Sequence, residues 1–200
     1  MVFFVSDGGK VFALDNETGG LLWNADFVLG GIADSEPICV GICQGLVIFN
    51  SGGQSIYAFK LVNGELAWKF SEAHQSFYYP TITSERVYIR AYNNTRIYGL
   101  DLETGRKSWT YYSKSIPHNN GDAMTITNNV GYFGDDNKVK AIALDSKEEI
   151  WQYEVTSVFN FDFDLFNIFK EIKGLQISSI IVDCRELYFI CGNGYLYALN

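Results

Sequence analysis

Tryptophan occurs four times in this chain, and each time it closes the same phrase: an apolar strand, a short turn, then the indole. The copies run from Val11-Phe12-Ala13-Leu14-Asp15 to Trp23, from Ile56-Tyr57-Ala58-Phe59-Lys60 to Trp68, from Ile97-Tyr98-Gly99-Leu100-Asp101 to Trp109, and from Val139-Lys140-Ala141-Ile142-Ala143-Leu144-Asp145 to Trp151. A fifth opens at Leu196-Tyr197-Ala198-Leu199-Asn200. The tryptophans are 45, 41 and 42 residues apart. Self-similarity at this period restricts the chain to architectures in which small units stack and bury their apolar faces on one another.

Each unit divides into four extended segments. The second shows all four: Pro37 to Gly41, Leu46 to Asn50, Ser55 to Leu61 and Leu66 to Phe70. Turns rich in Gly and Asn separate them, and Asn63-Gly64 is a strong hairpin signal because both residues tolerate positive φ. No helical period is needed in the repeats. Four-stranded antiparallel units at 40- to 45-residue spacing predict the blades of a β-propeller. An all-β domain over residues 1–200 is expected, with blade units at about 2–25, 36–70, 79–111, 121–155 and 176–200 and an insert at about 156–175. A tryptophan, large and apolar with one N–H to satisfy, suits a position wedged between blades.

Composition narrows the function classes. Hydrophobic residues make up 48% and aromatics 16%, enough for a large core and too much for a disordered chain. The net charge of −8 repels polyanions, so nucleic acid is not an expected partner. No apolar run reaches the roughly 18 residues of a membrane span. The N-terminus lacks the basic and apolar regions of a signal peptide. The compartment is therefore cytoplasmic, or exported if a leader is missing. Cys39, Cys43, Cys184 and Cys191 have spacings that match no strong zinc pattern, and they read as reduced thiols packed like small apolar residues. Export would permit a disulfide.

The segment Ala13-Leu14-Asp15-Asn16-Glu17-Thr18-Gly19-Gly20-Leu21-Leu22-Trp23 resembles the tryptophan-docking motif of pyrroloquinoline-quinone (PQQ)-like propeller repeats. Asp101-Leu102-Glu103-Thr104-Gly105-Arg106-Lys107-Ser108-Trp109 repeats it, with Gly99 in the alanine position. The second copy keeps Ala58, Gly64 and Trp68 but has Lys60 for the aspartate and Asn63 for the threonine. The fourth, read from Asp145 to Trp151, has a strand two residues longer and a turn two shorter. The resemblance covers nearly all of the chain outside about 155–175. It implies that Asp15 and Asp101 accept hydrogen bonds from turn amides and that the glycines supply left-handed backbone. These residues are structural on this reading, and none is catalytic.

The blade count is three complete units flanked by two partial ones. The first unit begins at Val2 with its second strand, and the last has three strands. Five blades close a small ring, whereas PQQ-like relatives usually have seven or eight. The chain therefore reads as a compact five-bladed propeller, a piece of a longer one, or part of an assembly in which another copy or a larger chain completes the ring.

No enzyme is expected. A quinoprotein dehydrogenase, as the resemblance implies, holds its quinone with calcium-binding groups and an adjacent-cysteine disulfide, and this chain has neither adjacent cysteines nor a matching calcium cluster. No metal site and no cofactor are expected. His74 and His118 read as solvated loop residues, and the carboxylates of Asp162 and Asp164 as a solvated edge. The distinctive segment is the insert, where Phe161, Phe163, Phe166 and Phe169 form an apolar cluster. It covers a blade edge or docks a protein partner. The expected function is a non-catalytic scaffold or sensor that presents loops to other proteins. A fragment of a propeller enzyme and a sensor for a small ligand in the central channel are the alternatives.

Overall fold

In β6 (Ser55–Lys60), the second unit buries five consecutive residues, Ser55 to Phe59. A strand buried without interruption has apolar neighbours on both of its faces. The computed structural model shows how. It describes residues 1–29, 37–73, 75–91, 96–113, 124–135, 137–155, 177–183, 186–192 and 195–199. Ile56 and Ala58 point to one side, into a cluster with Ile48, Trp68, Val87, Ile89, Tyr98 and Leu100. Tyr57 and Phe59 point to the other, with Val11, Phe27 and Phe49. The second sheet is therefore a wall shared by two apolar junctions. A fully buried side chain of this size contributes about 1.5–3 kcal/mol.

The described residues fall into two compact units, the first formed by those up to 91 and from 96 to 111, the second by those from 112 onward. In the first, β1 (Val2–Ser6), β2 (Lys10–Leu14) and β3 (Leu21–Asp26) form a three-stranded antiparallel sheet. β4 (Ile38–Cys43), β5 (Leu46–Asn50), β6 and β7 (Leu66–Ser71) form a four-stranded one. A second four-stranded sheet joins β8 (Thr81–Ile82), β9 (Arg86–Arg90), β10 (Arg96–Asp101) and β11 (Lys107–Tyr112). The first strands of successive sheets are neighbours, β1 beside β4 and β4 beside β8. Buried Asn50 ties the second sheet to the segment entering the third: its Nδ2 donates to the carbonyls of Phe77 and Tyr78, at 3.1 and 3.3 Å.

In the second unit, β12 (Thr125–Thr127), β13 (Val130–Asp135), β14 (Lys138–Ala143) and β15 (Glu149–Glu154) form a four-stranded sheet. β16 (Ile177–Asp183), β17 (Glu186–Cys191) and β18 (Leu196–Leu199) form a three-stranded one. Val139, Val155, Ile177, Ile180, Leu187, Phe189 and Cys191 pack between them.

The same irregularity recurs in three hairpins. Ala13 pairs with Trp23, Ala58 with Trp68 and Ala141 with Trp151, and the register slips by one residue immediately after each alanine. A bulge at this point sharpens the local twist and re-aims the outer strand. In the third sheet Gly99 takes the alanine position, because a Cβ there would lie 2.9 Å from Cβ of Trp109.

One polar cluster interrupts the apolar pattern of the second unit. Lys140 occupies the strand position of Tyr57 and Tyr98, yet its side chain is only 4% exposed. Its ammonium lies 2.5 Å from Oδ2 of Asp135, whose side chain is fully buried, and Ser113 Oγ donates to the same oxygen at 2.5 Å. Glu149 approaches at 3.9 Å. Removing one member of a buried pair strands the other charge, whereas removing both does not. Lys140→Met should therefore cost about 3–5 kcal/mol. Adding Asp135→Leu to it should recover most of that loss, with urea unfolding followed by tryptophan fluorescence as the measurement.

Candidate functional site

The turns between the third and fourth strands are built by their own side chains. Asp15 Oδ1 accepts from the amides of Glu17 and Thr18 at 3.0 and 2.8 Å and from Thr18 Oγ1 at 2.9 Å. Asp101 Oδ1 accepts from the amide and hydroxyl of Thr104 at 2.8 and 2.6 Å. The Thr18 amide, then its hydroxyl, hold the Asp15 carboxyl below the usual carboxylate range. The Thr104 hydroxyl, then its amide, do the same for Asp101. Each turn then closes on a glycine with positive φ, Gly19 at 70° and Gly105 at 68°, whose amide donates to the carbonyl of the aspartate.

The second turn keeps this frame with different chemistry. Gly64, φ 71°, donates its amide to the carbonyl of Lys60. Lys60 Nζ donates to Glu65 at 2.7 Å, and this bond is the main reason the Glu65 carboxyl sits low. The fourth turn corrects the sequence reading. Its strand is not two residues longer, nor its turn two shorter. Lys147, φ 62°, takes the glycine place and donates its amide to Ala143. Ala143 therefore stands where Asp15 and Asp101 stand. Asp145 lies two residues further on and accepts from Asn129 Nδ2 at 2.5 Å.

These turns are seats for the tryptophans. Trp23 Nε1 donates to the carbonyl of Leu61 at 3.0 Å, and Trp68 Nε1 to that of Leu102 at 2.8 Å. Both acceptors belong to the turn of the next blade. The rings lie so close to the turn glycines that a Cβ on Gly64 would be 2.5 Å from Trp23, and one on Gly105 2.6 Å from Trp68. Gly19 has the same backbone conformation but nothing within 4 Å of its Cβ position. Trp109 is buried, edge-on to Tyr88 with centroids 5.4 Å apart. Trp151 is half-buried against Tyr132 at 6.0 Å, and lines a cleft of about 470 Å³ with Leu187, Leu199 and Glu186.

Other features of the surface were not singled out by sequence. Val62 is 76% exposed and Leu21 57%, and Leu22 and Leu66 are exposed too. All four flank the turn ends of the first two blades. Exposed apolar positions are hard to recognise in a chain so rich in apolar residues. Phe161, Phe163, Phe166, Phe169, Asp162, Asp164, His74, His118 and Cys184 lie outside the described residues. Cys43 is half-buried and Cys191 buried, both as free thiols. Among the described residues no group of three or more His, Cys, Asp or Glu side chains is placed to hold a metal ion. No helix among them is long and apolar enough to cross a membrane.

The family model described as outer membrane protein assembly factor BamB matches residues 7–162. Outer membrane protein assembly factor BamB of Yersinia pestis is 23% identical over 217 residues, an alignment covering 100% of this chain and 51% of that protein. The crystal structure of BamB from Moraxella catarrhalis is similar with a TM-score of 0.66 at 16% identity, over 98% of this chain and 54% of that one. The computationally designed Ika8 protein is similar with a TM-score of 0.69 at 12% identity, over 98% and 56%. The chain spans about half the length of these relatives. At such identities the structural likeness speaks for the fold alone, a β-propeller of about five blades, while the PQQ-like repeats rest on the family match.

Two predictions follow from the seats. Gly19→Ala should cost about 1 kcal/mol, for left-handed backbone alone. Gly64→Ala and Gly105→Ala should each cost roughly 1–3 kcal/mol more, because the new methyl meets a tryptophan ring. Urea midpoints of the three variants measure the difference. For the aspartates, the folded pKa lies below the ordinary value of 3.8. Their stabilisation is complete above that value and is lost as pH falls through the folded pKa. Asp15→Asn with Asp101→Asn should be less stable at neutral pH, and should lose less stability than the parent between about pH 5 and pH 2.

Proposed function

This chain belongs to the family of the outer membrane protein assembly factor BamB, and on that premise we propose that it is a non-catalytic PQQ-like propeller that scaffolds contacts between proteins. The observation that carries the reading is the set of exposed apolar side chains at the turn ends of the first two blades, Leu21, Leu22, Val62 and Leu66. Trp23, one residue beyond Leu22, bonds to the turn that holds Val62, so these side chains come from both sides of a blade junction. Rigid blades hold such side chains in fixed geometry, which lowers the ordering cost of binding. Clustered exposed apolar side chains on a soluble fold mark interaction sites.

The net charge of −8 favours a basic or mixed-charge protein partner. The relatives are named for assembling outer membrane proteins, and carried over to this chain that favours the exported of its two compartments. The insert phenylalanines Phe161, Phe163, Phe166 and Phe169 are proposed as a second contact surface, on the strength of their clustering in sequence.

Photoreactive residues placed at Leu22, Val62 and Leu66 should crosslink in cells to one defined protein. Val62→Asp with Leu66→Asp should weaken that contact roughly tenfold while the circular dichroism stays unchanged. Phe163→Ala with Phe166→Ala and Phe169→Ala should reduce the same contact if the insert contributes. Tight, saturable binding of a quinone together with calcium would overturn the non-catalytic reading.

A further inference from the structure

The residue three places after Asp15, Lys60, Asp101 and Ala143 has the same task in each turn: its side-chain oxygen accepts from the amide two residues on. Thr18 Oγ1 accepts from Gly20 at 3.2 Å, Thr104 Oγ1 from Arg106 at 3.4 Å, and Ser146 Oγ from Glu148 at 3.3 Å. Asn63 Oδ1 accepts from Glu65 at 3.1 Å. Three turns do this with a hydroxyl, which does not react with the backbone. The second does it with a carboxamide, whose carbon is an electrophile, and Gly64 follows it directly. A glycine amide carries no side chain to hinder attack on the residue before it.

The Glu65 N–H polarises the Asn63 carbonyl and is placed to stabilise the oxyanion that forms when a nucleophile adds to it. What the closed turn withholds is the nucleophile. The Gly64 amide donates to the Lys60 carbonyl at 2.9 Å, so its nitrogen is engaged. Trp23 keeps it there. The indole covers Gly64, 2.5 Å from where a Cβ would stand, and its N–H donates to the Leu61 carbonyl at 3.0 Å. Asn63 itself is exposed to water, while Gly64 is buried beneath the ring.

We propose that Asn63-Gly64 is a deamidation site gated by the Trp23 seat. When the seat opens, the Gly64 nitrogen loses its proton to solvent base and bonds to Cγ of Asn63. The Cγ–Nδ2 bond breaks, the leaving nitrogen takes up a proton, and ammonia departs from a five-membered succinimide. Water then opens the ring. Attack at Cγ gives aspartate. Attack at the former main-chain carbonyl gives isoaspartate, in which the main chain runs through Cβ and gains one methylene. Both products add one negative charge. Isoaspartate also lengthens the turn, so Gly64 no longer meets the indole and the Lys60 carbonyl together. The seat does not re-form, and the junction between the first two blades is released in one direction only. Val62 and Leu66 lie on either side of the modified residue in this turn, so the change reaches the surface proposed above, although the chemistry does not depend on that reading.

Incubation in mildly alkaline buffer tests it, with the tryptic peptide 61–69 followed by mass spectrometry. Only the open fraction reacts, so the folded chain should deamidate at Asn63 roughly tenfold or more slowly than a synthetic peptide of residues 61–69. Trp23→Phe keeps a ring over Gly64 but loses the N–H donor, and should accelerate the reaction roughly three- to tenfold. Lys140→Met weakens the other compact unit and should leave the rate unchanged. Asn63→Thr restores the hydroxyl of the other turns and should keep its Trp23 indole N–H resonance through the same incubation. In the parent that resonance should decline in step with isoaspartate. The proposal is overturned if the folded chain reacts as fast as the peptide, or if Asn63 stays intact in Trp23→Phe while the peptide converts. It is equally overturned if Lys140→Met accelerates the reaction as much as Trp23→Phe does, or if isoaspartate accumulates with the Trp23 resonance unmoved.

Discussion

A flat indole lies closest to a peptide backbone where there is no Cβ, and its buried N–H needs an acceptor, which a carbonyl without a strand partner supplies. The turn after the third strand of a blade meets both conditions at once. The ladder has just ended, so the carbonyl of Leu61 or Leu102 is available. The left-handed glycine then clears the space for the ring. Seat and indole define each other, and this mutual fit sets how one blade sits on the next. The apolar clusters flanking β6 depend on that placement, because their members come from adjacent sheets.

The turns reach one geometry by three routes. Asp15 and Asp101 gather amides and a threonine hydroxyl around one carboxylate oxygen. Lys60 and Glu65 tie the two ends of the second turn with an exposed ion pair. The fourth uses neither, and places Lys147 in a conformation that ordinary side chains adopt at some cost. The common element is the amide of the fourth turn residue bonding back to the end of the strand, not any one side chain.

Much of this was legible in the sequence because it rests on residue types with few substitutes. Tryptophan at a period of 41 to 45, glycine in the turns and alternation in the strands all report on backbone geometry. What escaped depended on pairings the chain does not advertise. Asp145 looked like the motif aspartate, yet the count of eight residues back from the tryptophan, as from Trp23 to Asp15, points to Ala143. Lys140 reads as an interruption in an apolar strand until Asp135 and Ser113 are brought beside it. The exposed set Leu21, Leu22, Val62 and Leu66 was hidden for the opposite reason. Its residues have the composition of a core, and only their position at the turn ends exposes them.

The shared-wall character of the central strands bears on how such a chain tolerates changes in length. Ile56 and Tyr57 are neighbours in sequence but serve different junctions. Inserting or deleting one residue in β6 would exchange the two faces and misassign every side chain on both sides of the blade. The interval from the residue whose carbonyl closes the turn (Asp15, Lys60, Asp101 or Ala143) to the tryptophan is correspondingly constant at eight residues in all four hairpins, while the distance between successive tryptophans drifts from 45 to 41 to 42. The turn between the second and third strands varies as well, with four residues after β5, five after β9 and two after β13. The repeat therefore keeps its metre only from the turn to the tryptophan, the stretch that seats one blade on the next, and leaves its freedom elsewhere.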